Sequence, residues 1–254
     1  QTFQRRFSGK LVKSMNRIDL KFKLLKSKRK KALIVFLTAG DPSLRKTEAL
    51  VHACEKEGAD LIELGVPFSD PLADGPVIQA ASQRALKNKV NLKQILAMVK
   101  RLREKTQIPL LLMTYFNPIY SFGLEKFARE AKSSGVDGVI VPDLPVEESK
   151  ETEGVLNKYK ILFINFLAPT SDNKRKEFIA KKSKGFIYYV SLTGVTGSHK
   201  SLSTEIQRNI IQIKKFTKTP VCVGFGISTP EQAKAVSKYA DGVIVGSAVV
   251  KALA

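Results

Sequence analysis

Short apolar, β-branched runs alternate with longer amphipathic stretches along the whole chain, and this alternation constrains the fold more than any other feature. Strand character belongs to Leu33–Leu37, Asp60–Leu64, Pro109–Met113, Gly138–Val141, Ile161–Phe166, Phe186–Val190, Pro220–Val223 and Gly242–Val245. Helical spacing belongs to Leu44–Glu57, Leu92–Lys105, Leu124–Ser133, Glu147–Lys158, Lys174–Lys182, Ser203–Phe216 and Pro230–Tyr239. Eight strand-then-helix units predict parallel strands joined by crossover helices. Runs that stay apolar on both faces belong to a sheet covered on both sides. The phrases Gly58-Ala-Asp-Leu-Ile, Gly135-Val-Asp-Gly-Val-Ile-Val and Tyr239-Ala-Asp-Gly-Val-Ile-Val repeat one helix-to-strand junction, with an Asp in the turn that leads into the strand. A closed (β/α)8 TIM barrel, α/β in class and a single domain, fits this pattern better than an open doubly wound sheet. The 254 residues are a length at which such barrels commonly form one unit.

Charge separates the N-terminus from the rest. Net charge is +20, and within residues 1–31 Arg5, Arg6, Lys10, Lys13, Arg17, Lys21, Lys23, Lys26, Lys28, Arg29, Lys30 and Lys31 face one acid, Asp19. Ile18, Phe22 and Leu25 recur at helical spacing, so residues 16–29 read as an extra N-terminal helix with a solvated charged face. Residues 1–15 read as a basic, disordered extension, derived from a transit peptide or foreign to the domain, with the barrel over 16–254. Cys54 and Cys222 are far apart, lack metal-type spacing and read as reduced, packed thiols. No apolar run approaches the ~20 residues needed to span a bilayer. The expected compartment is the cytoplasm, or the plastid if the extension is a transit remnant.

In a barrel of this kind the reactive groups belong at the C-terminal ends of the strands. Those ends carry Thr38-Ala-Gly-Asp41, Glu63, Thr114-Tyr115, Asp143, Tyr188, Gly224–Gly226 and Gly246-Ser247. Glu63 ends an apolar run, and Asp74 follows in a loop rich in Pro and Gly. A buried acid with a raised pKa beside an ionised one suits proton chemistry on a small molecule. The competing reading is a surface loop with incidental acids. Gly224 and Gly226, followed by Ser228, Thr229 and Pro230, and then Gly246-Ser247, form two turns that open helices after the last two strands, where barrels often hold phosphate. The same glycines would also serve as plain tight turns. Ser191–Ser203 is long and polar, and reads as a lid over the mouth. His199 reads as a loop residue within it and His52 as a surface residue on a helix. With so few histidines and scattered cysteines, a metal site is not expected.

Six motifs in order then point to one family. Phe36-Leu-Thr-Ala-Gly-Asp-Pro42, Glu63-Leu-Gly-Val-Pro-Phe-Ser-Asp-Pro-Leu-Ala-Asp-Gly-Pro76, Met113-Thr-Tyr-Phe-Asn-Pro118, Pro142-Asp-Leu-Pro-Val-Glu-Glu-Ser149, Gly194-Val-Thr-Gly197 and Gly224-Phe-Gly-Ile-Ser228 together resemble the tryptophan synthase α-subunit family, from about Asn16 onward. The resemblance implies a lyase of tryptophan biosynthesis that cleaves indole-3-glycerol phosphate by a retro-aldol reaction to indole and glyceraldehyde 3-phosphate. It implies Glu63 as general acid and base, Asp74 as the ionised partner of the indole N–H, and Tyr188 beside the catalytic acid. Gly197, Gly226, Gly246 and Ser247 would hold the phosphate. Phe36, Met113, Tyr115, Ile140, Phe225 and Ile244 would wall the indole or simply pack the core. Thr196 would bring the lid onto Asp74, and the loop with Asp70 and Pro71 would face a β subunit in an α2β2 complex. The family implies no cofactor in this chain, with pyridoxal phosphate in the β partner.

Three departures stand out. Leu192 occupies a lid position where bacterial relatives often carry arginine, the last helix is shorter than the family's usual one, and the basic N-terminus has no family counterpart before Asn16. Rival readings are another phosphate-binding barrel of tryptophan or histidine synthesis, a silent α subunit that only activates its partner, and an RNA-binding barrel. The first usually brings Lys or Cys to the rim, and neither stands beside Glu63. The second is disfavoured by the presence of both acids. The third lacks interleaved aromatics in its basic arm, which offers only Phe3, Phe7 and Phe22.

Overall fold

The structure, a computed structural model, describes residues 15–190, 199–224 and 226–253. Helix α1 (Arg17–Ser27) precedes β1 (Ala32–Thr38), α2 (Leu44–Lys56), β2 (Leu61–Gly65), α3 (Pro76–Lys87), α4 (Leu92–Leu102), β3 (Leu110–Met113), α5 (Phe116–Phe122), α6 (Leu124–Ser134) and β4 (Gly138–Ile140). There follow α7 (Lys150–Lys158), β5 (Leu162–Ile164), β6 (Phe166–Leu167), α8 (Asn173–Lys182), β7 (Ile187–Val190), α9 (His199–Phe216), β8 (Val221–Gly224), α10 (Pro230–Ser237), β9 (Gly242–Val245) and α11 (Ser247–Leu253). All strands pair in parallel, in the order β5-β4-β3-β2-β1-β9-β8-β7-β6.

The two ends of that order are one segment of chain. The fifth apolar run breaks at Asn165: β5 pairs with β4, and β6 pairs with β7. The Asn165 carbonyl accepts the Tyr188 N–H at 3.0 Å, so the ladder continues across the break and the sheet closes into a barrel. The sequence predicted one strand here. The structure has two short ones because a single strand cannot follow β4 and β7 at once without a local bend.

Alternate residues of each strand point inward and form their own core: Ile34, Phe36, Leu61, Leu111, Met113, Ile140, Leu162, Ile164, Phe186, Tyr188, Cys222 and Ile244. Helix α1 plugs the N-terminal end of this barrel with Ile18, Phe22 and Leu25, and the Phe22 and Phe186 rings lie 5.8 Å apart. Asn16 starts that helix by accepting the Ile18 N–H and donating to the Asp137 carbonyl at 2.7 Å. Outside the sheet, β1 to β5 pack on α2, α4, α6 and α7, while β6 to β9 pack on α8 to α10.

The repeated junction aspartates have a common task. Asp60 accepts the Leu33 N–H, Asp137 the Leu110 N–H and Asp241 the Val221 N–H, each at 3.0 Å. Each carboxylate therefore satisfies an amide in the opening two residues of the strand preceding its own, at the edge where the sheet's own ladder starts.

Three differences from the sequence-based expectation concern helices. Helix α3 was not anticipated, because the turn-rich loop before it obscured the start at Gly75-Pro76, and its buried face is only Ala81, Ser82 and Ala85. Helix α5 is a short segment interrupted in sequence by Pro118. Helix α9 begins at His199 rather than Ser203, so His199 stands in a helix and not in a loop. His52 lies on α2, partly buried.

Candidate active site

Glu63 sits in β2 with Phe36 of β1 and Leu111 of β3 as its strand neighbours, so it points into the barrel among apolar side chains. It has no solvent exposure, and neither carboxyl oxygen has a hydrogen-bond partner among the described residues. Burial pushes its pKa up to about 8, since no nearby donor offsets the lost hydration of the charged form. At neutral pH this acid holds its proton.

Above it the chain leaves β2 through a loop held by its own turns. The Leu72 N–H bonds the Asp70 carbonyl and the Asp74 N–H bonds the Pro71 carbonyl, both at 3.0 Å. Gly75 and Pro76 then open α3, and Gln79 reaches back to the Asp74 carbonyl at 2.9 Å. Asp74 is half-buried, and that burial raises its pKa to about 6, against the opposing pull of a hydrogen bond from Tyr115. The two acids are thereby separated in acidity, with Asp74 ionised and Glu63 neutral near pH 7.

A cavity of about 260 Å³ occupies the C-terminal mouth of the barrel, lined among others by Phe36, Asp74, Met113, Tyr188, Ile244 and Ser247. Its far rim is Gly226, Ile227 and Ser228 after β8 and Gly246, Ser247 and Ala248 after β9. Apolar walls with a carboxylate on one side and helix-start amides on the other suit a ligand with a flat apolar part and an anionic end. Tyr188 is buried, and its hydroxyl is shifted well above the usual phenol range by burial first, then by Glu63.

Of the residues expected at the site, Phe36, Asp74, Met113, Tyr188, Gly226, Ile244, Gly246 and Ser247 line this one cavity. Glu63 lies beneath its surface rather than on it. The Phe36 ring lies where a Gly65 side chain would be, 2.4 Å from a Cβ built there, so it reaches up into the mouth while Glu63 stays below. Gly65 has to be glycine for that ring to fit. Ile140 is fully buried in the barrel interior and is not part of the lining. Tyr115 is not part of it either: its hydroxyl accepts the Ala73 N–H at 2.8 Å. Asp70 is exposed and Pro71 half-buried. Leu192, Thr196, Gly197 and Phe225, and with them the expected lid, lie outside the described residues.

The helix after β8 starts as its sequence suggests, with Thr229 as the cap, Pro230 at the first position and Gln232 completing a reciprocal pair. Gln232 also takes the Ser228 N–H at 2.8 Å. Ile78 and Gly75 also line the cavity, two positions not among the expected site residues. The signal available was Gly75-Pro76 as a helix start, which turns Ile78 toward the mouth. Among the described residues no cluster of His, Cys, Asp or Glu could hold a metal ion.

Fold and site together define an α/β-barrel enzyme whose ligand-sized mouth is lined by the carboxylate of Asp74, with the second, weaker acid Glu63 buried beneath its surface. A family model for the tryptophan synthase alpha chain matches residues 22–254. Among curated relatives, the tryptophan synthase alpha chain of Thermoanaerobacter sp. (strain X514) is 49% identical over 94% of this chain and 91% of that protein. The one from Geobacter sp. (strain M21) is 51% identical over 93% and 89%. The crystal structure of tryptophan synthase subunit alpha from Legionella pneumophila superposes with a TM-score of 0.87 at 43% identity, covering 94% of this chain and 88% of that one. A chain of the tryptophan synthase complex from Pyrococcus furiosus superposes with a TM-score of 0.78 at 41% identity, over 87% of this chain and 88% of that one. This chain belongs to the tryptophan synthase alpha chain family.

Proposed function

We propose that this chain catalyses the α reaction of tryptophan biosynthesis, the retro-aldol cleavage of indole-3-glycerol phosphate to indole and glyceraldehyde 3-phosphate. The observation that carries the reading is the pairing of a neutral, buried Glu63 with an ionised Asp74 around one apolar cavity. Glu63 gives its proton to C3 of the indole, which turns the ring into an electron sink. The glycerol hydroxyl on the adjacent carbon loses its proton to the Glu63 carboxylate, the C–C bond breaks, and its electron pair returns to the ring. Glu63 ends the cycle protonated, so no other acid or base is needed. Asp74 accepts the indole N–H and stabilises the positive charge that grows on the ring. Tyr188 lines the same cavity and stays a neutral phenol beside the catalytic acid.

The phosphate binds across the mouth, at Gly226 and at the helix start formed by Gly246 and Ser247, and the family resemblance adds Gly197 to that set. Phe36, Met113 and Ile244 hold the indole, with Phe225 beside them, and Thr196 closes the lid on Asp74. The reading needs no cofactor in this chain, pyridoxal phosphate being the β subunit's. Residues 16–254 act as one catalytic barrel in the cytoplasm. A β subunit receives the indole in an α2β2 assembly, docking on the loop of Asp70 and Pro71, where Leu72 is 95% exposed. So open an apolar side chain, next to the site loop, fits a contact that couples two active sites.

Purified chain with indole-3-glycerol phosphate should release indole, faster once a β subunit is added. Glu63→Gln should lower turnover by at least roughly 10²–10⁴-fold, the usual worth of a proton-transfer group, while still binding substrate. Full turnover in that variant would overturn the assignment.

A further inference from the structure

Tyr115 stands just beyond the end of β3, as the residue preceding α5. Its ring is buried and tilted against Phe68 at 5.2 Å between centroids, so the hydroxyl is held in place by packing. That hydroxyl accepts the Ala73 N–H at 2.8 Å. A phenol has one proton to donate, and with the amide of Ala73, the residue before Asp74, occupying an acceptor position, its O–H is left to turn toward the Asp74 carboxylate. We propose that Tyr115 is a positioning residue, which fixes the Asp74 carboxylate at the mouth and holds it in its charged form by donating a hydrogen bond to it. The proposal rests on the α-reaction reading for its catalytic consequence, though not for the interaction itself.

Among the titratable groups near Asp74, Tyr188 of β7 and Glu63 are uncharged at neutral pH and do nothing to hold its charge. Asp143, beyond Tyr115, accepts the Phe116 N–H at 2.9 Å and adds negative charge to the neighbourhood. Asp70 is exposed in the same loop. Burial raises the pKa of Asp74, and the hydrogen bond from Tyr115 pulls it down. The phenol itself is pushed above its usual range, chiefly by burial and then by the charge of Asp74, so it remains a donor at every working pH. Asp74 would otherwise titrate in the neutral range, and a protonated Asp74 can neither accept the indole N–H as an anion nor balance charge on the ring.

The test is a carboxyl titration by 13C NMR of the chain labelled at aspartate, with the Asp74 signal assigned by its loss in Asp74→Asn. Tyr115→Phe should raise the Asp74 midpoint by about one pH unit, a tenfold change in proton affinity. 3-Fluorotyrosine placed at position 115, a stronger donor that preserves shape, should lower the midpoint and serves if the phenylalanine variant fails to fold. An unmoved or lowered midpoint in Tyr115→Phe, or an unmoved one with fluorotyrosine, overturns the proposal. Indole release by the unaltered chain is measured alongside. Its absence would sink the reaction assigned above, while the titration would still decide the role of Tyr115. Where indole is released, Tyr115→Phe should shift the acid flank of the rate profile upward. Combined with Asp74→Asn, it should cost nothing further.

Discussion

Glu63 is held in a setting that no exposed carboxyl experiences, and the consequence reaches the stability of the barrel as well as its chemistry. With no solvent contact and no donor among the described residues, its charged form is disfavoured and the folded-state pKa rises to about 8 from 4.5. Between those values the unfolded chain has released the proton while the folded chain keeps it. Stability therefore falls as pH rises through that window, by about 1.4 kcal/mol for each unit attributable to this group, and levels off above it. Glu63→Gln removes the titration. Denaturant melts of the two proteins should show the variant gaining on the parent steadily from pH 5 to pH 8. A constant difference across that range would mean Glu63 is charged, or solvated, in the folded state.

At the level of elements, the junction aspartates show how repeated sequence becomes repeated structure. Asp137 carries the heaviest load: it accepts the Leu110 N–H and pairs with Arg17 at 2.9 Å and with Arg103 at 2.7 Å. Arg103 also bonds the Gly135 and Ile108 carbonyls, so one buried pair ties α1, α4 and the start of two strands together. Asp137→Ala leaves a buried guanidinium without its partner and should cost about 3–5 kcal/mol. For a chain of this size that is roughly a 10 °C loss in melting temperature by calorimetry. A loss within a degree or two would mean the junction is not structural. These strands were legible because buried parallel strands are continuous apolar runs, and the junction phrase marks where each begins. The break at Asn165 was not, since one polar residue inside an apolar run carries no sign that two neighbours must be served. Helix α3 hid because alanines make its buried face, so its period barely shows in sequence. In the site, Glu63 and Asp74 stood out as acids at a strand end and in a Pro/Gly loop. Tyr115 read only as a wall of the pocket, because a hydroxyl's partner depends on where the loop of Ala73 folds back.

The whole molecule joins these parts through closure. β5 and β6 bend at Asn165 to join the two edges of the sheet, α1 stoppers the N-terminal end, and the open mouth collects the ends of strands distant in sequence. Glu63 from β2, Tyr188 from β7, and the turns after β8 and β9 meet only because the cylinder is closed. The net charge of +20 favours approach of an anionic substrate. The pH profile of kcat/KM for indole release from indole-3-glycerol phosphate tests the central claim most directly. Turnover needs Asp74 ionised, so the rate should rise with pH through about 6, and it needs Glu63 protonated, so the rate should fall through about 8. The account predicts a bell bounded by those two flanks. A profile flat from pH 5 to pH 9, or one that climbs steadily through 8, would contradict it.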